Sequence, residues 1–176
     1  MQNVMRINDL EKIRSIADYQ FGKGVGKHLF PEDTEIVYSK ATGRIRHIYF
    51  KGELLATLRP MDGLFSLTLA GAKRIVENMK PLKNWVKVQD EAKAFVLDGK
   101  SVFAKHVVDA DMDIRPYQEV IVLDSLGNVL GVGKALLSGE EMKAFKRGVA
   151  VKIRKGAKKE KGENRCGELA HGKPKE

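Results

Sequence analysis

The chain has 176 residues, 43% of them hydrophobic and 31% charged, enough for one soluble folded domain or two small ones. Its formal net charge of +9 favours an anionic partner, because Lys and Arg displace counterions from phosphates. The single cysteine, Cys166, excludes an intramolecular disulfide and a cysteine-based metal cluster, and neither a signal-peptide pattern nor an apolar run of the ~18 residues that span a bilayer is present, so a cytoplasmic location without membrane contact is expected by elimination.

In chain order, the first expected element is a helix capped by Asn8 or Asp9, with Leu10, Ile13, Ile16 and Ala17 on one face. Gly22-Lys23-Gly24-Val25-Gly26-Lys27 reads as a loop. It fails the spacing of both common glycine-rich nucleotide motifs, and no Ser or Thr follows Lys27 to hold magnesium. A basic loop touching phosphate through backbone N–H groups stays open as a reading; ATP hydrolysis does not. Strands are expected over 35–39, 45–50 and 53–58, the last two joined by a Lys51-Gly52 hairpin turn. A further strand over 65–69 and a helix over 70–79, with Ala72, Ile75 and Val76 inward, complete this segment. Pro81-Leu82-Lys83-Asn84 is a natural boundary.

The second segment reads mostly as strands. Trp85-Val86-Lys87-Val88 precedes a helix-like run over 92–97, the turn Asp98-Gly99-Lys100-Ser101 and a strand over 102–108. Glu119 to Asp124, Val129 to Ala135 and Gly148 to Arg154 follow. Ser138-Gly139-Glu140-Glu141 has capping-box spacing, and Met142 and Phe145 are expected to pack the helix it opens. From Gly156 onward the apolar pattern gives way to Lys, Glu and Gly, so residues 158–176 are expected to form a disordered basic tail. Charge is uneven: residues 1–83 carry 14 Lys/Arg against 9 Asp/Glu, residues 84–145 carry 7 against 10, and residues 146–176 carry 11 against 4.

Two clusters could meet a polyanion. Gly99 permits a positive φ and close approach, and Lys100 and Ser101 bring a cation and a hydroxyl. In an alternating strand Ser101, Phe103 and Lys105 form one row, suited to an unstacked base and its phosphate. The competing reading makes Asp98-Gly99 only a turn and Phe103 only core. The second cluster takes Lys143, Lys146 and Arg147 at helical spacing, with Lys152 and Arg154 on one face of the last strand and Val149, Val151 and Ile153 on the other. A solvated surface explains it equally well. A lone His106 beside Val107-Val108 is more often packed or solvent-facing than catalytic. His28, His47 and His171 lack the spacing of a metal site.

The order of elements from Trp85 to Arg154, with its glycine turn, resembles the PUA domain, a compact RNA-binding module. Residues 13–24, Ser39-Lys40-Ala41-Thr42-Gly43-Arg44-Ile45-Arg46 and Gly63-Leu64-Phe65-Ser66-Leu67 look like the domain preceding the PUA module in archaeal tRNA-guanine transglycosylases. The resemblance implies an α+β fold: a pre-PUA domain over 1–83, a small PUA-type β-barrel with short helices over 84–157, then the basic tail over 158–176. It implies binding of RNA, in particular the acceptor stem and 3′ end of tRNA, with Gly99, Lys100, Ser101, Phe103 and Lys105 lining the site and Lys152 and Arg154 nearby. The family's base exchange uses a barrel with catalytic aspartates and zinc, for which this chain has neither length nor cysteines. The expectation is therefore a non-enzyme with no catalytic residue, metal or cofactor, acting as the RNA-binding subunit or accessory of an archaeosine-forming transglycosylase. The alternative is a ribosome-associated translation factor module of the same pre-PUA/PUA type.

Overall fold

The structure, a computed structural model, describes residues 2–158, so Cys166, His171 and the expected tail from residue 159 lie outside the described residues. Helix α1 spans Gln2–Phe21 and α2 Val25–Leu29; strands β1 Glu35–Tyr38, β2 Ile45–Phe50, β3 Glu53–Leu58 and β4 Phe65–Leu67 follow, then α3 Leu69–Asn78. The second half runs β5 Trp85–Val88, α4 Asp90–Leu97, β6 Val102–Phe103, a 3-10 turn over Ala104–His106, β7 Val107–Ala110, β8 Glu119–Leu123, β9 Val129–Ala135, α5 Gly139–Ala144 and β10 Val149–Gly156. Among the described residues no helix is long and apolar enough to cross a membrane.

The first four strands form an antiparallel meander in sequence order. Lys51 and Gly52, with φ of 48° and 79°, make the left-handed turn that matches strand twist in a two-residue hairpin. Helix α1 begins at Gln2, not at a cap on Asn8 or Asp9, and the Asp9 carboxylate instead accepts the Tyr38 hydroxyl. The glycine-rich loop is also corrected: its second part is α2, and a Cβ at Gly26 would lie 2.3 Å from the Arg14 carbonyl oxygen. Gly26 is where the two helices touch, with its N–H donating to Asp18 Oδ1 at 2.6 Å.

The second sheet has the order β6-β10-β9-β8-β5-β7 and curls into a near-closed barrel, with one parallel pairing, β5 on β8. All five residues of β8 are buried, because both of its faces are covered. Val120 and Val122 face the barrel interior with Val86, Leu130 and Val151. Ile121 and Leu123, with Val132 of β9, share the other core with Phe65, Leu69 and Ile75 of the first half.

Polar joints reinforce that shared core. The Gln20 amide bonds both backbone groups of Phe65, at 2.8 and 2.7 Å. Two residues along β4, Leu67 N–H donates to Glu119 Oε1 at 3.0 Å and its carbonyl accepts from Arg154 Nη2 at 2.6 Å. Arg154 also grips both carboxylate oxygens of Glu119, which is fully buried. An amide and an ion pair thus stand where a fifth strand would, satisfying the outer edge of β4. Asn84, at φ 56°, sits between the halves and donates to the Gln20 and Glu119 carbonyls, each at 3.1 Å.

Asp124 anchors the turn between β8 and β9. Its carboxylate accepts from Leu126 N and Asn128 Nδ2 at 3.0 Å, Asn128 N at 2.8 Å and Lys93 Nζ at 3.0 Å. Burial pushes its pKa up, but the Asn128 bonds and the Lys93 cation outweigh that and hold it at about 2. A depressed carboxylate stabilises the fold above its unfolded pKa and loses that contribution as pH falls through the folded value. Denaturant titrations should therefore show about 2 kcal/mol lost between pH ~4 and ~2 from this group, and D124N should abolish that part of the slope.

Candidate nucleic-acid interface

The glycine turn is first of all a helix end. Gly99, at φ 82°, follows α4, its N–H donating to the Val96 carbonyl and that of Lys100 to the Phe95 carbonyl, both at 2.9 Å. That is the double-bonded left-handed termination for which glycine is the natural residue. The reversal turns Lys100 and Ser101 back beside the helix they have just left.

The expected strand over 102–108 is not continuous. Ala104 donates to the Gly148 carbonyl at 2.9 Å and the 3-10 turn at Ala104–His106 separates β6 from β7, so simple alternation does not set which side chains share a face. Even so, Lys100, Ser101, Phe103 and Lys105 converge, joined by Phe95 and His106, around one cavity of about 290 Å³. Phe103 is 47% exposed and Phe95 52%, which is incompatible with a purely core role for either ring. Lys100 Nζ lies 5.3 Å from the Phe95 ring centroid, within cation–π range. His106 Nδ1 is buried there with no hydrogen-bond partner among the described residues. Two half-exposed rings flanked by two ammonium groups and a hydroxyl offer stacking surface and phosphate partners together. Phe95 was missed from sequence because it sits in an apolar helical run; its place beside Val96, which is buried, gives no sign of exposure.

The second cluster is rearranged. Helix α5 ends at Ala144, so Lys146 and Arg147 do not continue its face with Lys143; both are exposed in the segment leading into β10. That segment adjoins the cavity, because Val149 pairs with Phe103. Lys143 is 3.0 Å from Asp109 Oδ1, and its hydrogen bond lowers the pKa of that carboxyl. Met142 is buried as expected, whereas Phe145 is 47% exposed and belongs to neither core cluster. Lys152 is exposed opposite Lys134 of β9. Val149 is only half-buried, and a bulge between Val149 and Val151 puts Ala150 in the core as well. Arg154 shares the Lys152 side of the strand, but its guanidinium is engaged by Glu119 and Leu67. The structure therefore groups Lys100, Ser101, Phe103 and Lys105 with the approach of Lys146 and Arg147, keeps Gly99 at the helix end before them and not among the residues lining the cavity, leaves Lys152 apart on the barrel wall, and commits Arg154 to the joint between the halves. Among the described residues no group of His, Cys, Asp and Glu is arranged to hold a metal ion.

Residues 11–81 match the family described as the patch-forming domain C2 of tRNA-guanine transglycosylase, and residues 84–157 match the PUA domain. The chain is 45% identical over 150 residues to the tRNA-guanine(15) transglycosylase of Methanothermobacter thermautotrophicus, covering 85% of this chain and 23% of that protein. It is likewise 45% identical over 147 residues to that of Thermococcus kodakarensis, covering 84% of this chain and 25% of that one. The chain thus spans about a quarter of the length of these curated relatives. Among solved structures, a hypothetical protein from Pyrococcus horikoshii superimposes with a TM-score of 0.69 at 25% identity, over 85% of this chain and 90% of its own. A conserved PUA domain protein from Thermoplasma acidophilum has the same fold, with a TM-score of 0.62 at 22% identity over 86% and 89%.

Proposed function

Because the chain belongs with the C2 and PUA domains of archaeal tRNA-guanine transglycosylases, we propose that it is a non-catalytic, cytoplasmic tRNA-binding protein that holds the acceptor stem and 3′ end. The observation that carries this reading is the cavity of about 290 Å³ in the PUA domain where Phe95, Phe103, Lys100, Ser101 and Lys105 meet. PUA domains bind RNA, and these groups have the chemistry for a single-stranded end: rings for an unstacked base, cations for the phosphates beside it. Lys146, Arg147 and Lys152 would add sequence-independent attraction. Domains 1–83 and 84–157 would act together as the RNA-binding subunit or accessory of a transglycosylase forming archaeosine, with the base exchange supplied by a separate catalytic subunit.

The test is binding of labelled tRNA, with and without its 3′ CCA, over a salt series. Saturable binding that weakens when CCA is removed supports the reading. Equal binding to any polyanion overturns it, and preference for the small ribosomal subunit over free tRNA would favour a translation factor module instead.

A further inference from the structure

A second cavity, of about 200 Å³, lies in the other half of the molecule, where the turn between β1 and β2 meets the end of β3. Ser39, Thr42, Arg44, Arg46 and Arg59 line it, and among its lining residues there is no carboxylate. The turn is held by its own backbone: Ser39 N donates to the Arg44 carbonyl and Gly43 N to the Ser39 carbonyl, both at 2.8 Å. The arginines therefore project from a fixed base. Gly43 has nothing within 4 Å of where a Cβ would stand, so the approach is open.

The three guanidinium groups differ in what they do. Arg59 is gripped by Asp62 through two contacts, Nε to Oδ1 at 3.1 Å and Nη2 to Oδ2 at 2.8 Å. Of the other arginines, the half-buried Arg14 and Arg74 and the more exposed Arg154 each hydrogen-bond a main-chain carbonyl. Arg46 is half-buried as well, yet neither its guanidinium nor that of the exposed Arg44 has a hydrogen-bond or ion-pair partner among the described residues. A partly desolvated cation such as Arg46 is costly without a counter-charge, and Arg44, just before the same strand with one residue between them, adds repulsion. Paired guanidinium forks with two hydroxyls beside them suit a tetrahedral phosphodiester oxygen group.

We propose that this Arg44–Arg46 cavity is a second RNA contact, one that takes a backbone phosphate of the same RNA whose 3′ end occupies the PUA cavity. It rests on the RNA-binding reading but uses residues on the opposite half of the chain. The Glu119–Arg154 joint fixes one half on the other, so the two contacts would act as a two-point gauge of RNA shape. An end-bearing RNA too short to reach the second point would gain nothing from it.

The experiment compares the parent chain with R44Q/R46Q and with R44Q alone, using whole tRNA and an acceptor-stem minihelix ending in CCA. Arg44 is exposed, so R44Q keeps the test decisive if the double variant melts early. The double variant should bind whole tRNA about tenfold more weakly, with a salt slope reduced by roughly two, R44Q accounting for about half of that reduction, while minihelix affinity is unchanged. Unchanged tRNA affinity and slope in both variants would overturn the proposal. So would an equal loss for minihelix and tRNA, which would make the arginines a general field, or a loss confined to binding of a protein partner. If the parent chain binds neither RNA, the RNA-binding reading itself fails, a result distinct from any of these.

Discussion

R154A is expected to lower the stability of the chain by about 3 kcal/mol or more, the cost of leaving the fully buried Glu119 carboxylate without its counter-charge, although Arg154 itself is 37% exposed. Glu119 is fully buried and its oxygens are met by Arg154 and by Leu67 N–H. Removing the guanidinium strands a carboxylate inside the protein and at the same time frees the Leu67 carbonyl. For a chain of this length the melting temperature should fall by roughly 6–20 °C. R154K should recover little, since an ammonium cannot span two carboxylate oxygens and a carbonyl as the planar fork does. R154A/E119Q should be less damaged than R154A, because a neutral amide at position 119 carries less desolvation cost. A melting temperature for R154A within about 1 °C of the parent would show that the pair contributes little, as exposed pairs do.

The second large effect is on binding. Replacing Phe103 by alanine removes one of two exposed rings at the PUA cavity, and loss of a base–aromatic stack costs about 1–3 kcal/mol, or roughly 5- to 150-fold in affinity. The loss should appear with tRNA carrying CCA and largely vanish with tRNA lacking it, since the ring then has no end to stack on. K100A should act differently: a weaker salt dependence, by about one unit of slope, from the loss of one phosphate contact. Phe103 is 47% exposed and sits at the end of a two-residue strand, so the fold should tolerate F103A and a matched melting curve should accompany the binding data. If F103A binds both tRNA forms as the parent does, the cavity is not the end-binding site.

Much of the architecture was legible because local signals and packing agreed. β2 and β3 lie where alternation and the Lys51-Gly52 turn put them, and α5 opens at Ser138 through the expected capping box. The errors came where tertiary contacts overrode local pattern. Three glycines in six residues read as a loop, yet Gly26 allows α2 to pack directly on Arg14. A strand expected over 102–108 breaks because Ala104 bonds to Gly148, more than forty positions away. Arg154 reads from sequence as one more cation in a basic strand. Its partners stand 35 and 87 residues distant, and no periodicity encodes them. The glycine turn is legible in part: Gly99 as a helix terminator follows from its position, whereas the convergence of Phe95 and His106 on the same cavity depends on how α4 and the 3-10 turn pack.

The core shared by Ile121, Leu123 and Val132 with Phe65, Leu69 and Ile75 has a consequence for how this unit can be inherited. Cutting the chain near Asn84 would not yield two portable modules, because each fragment would carry away a bare apolar face and half of a broken polar seam. Heat should accordingly melt the pair in a single cooperative step, and gene fusion or fission should move the two together, as one indivisible cassette.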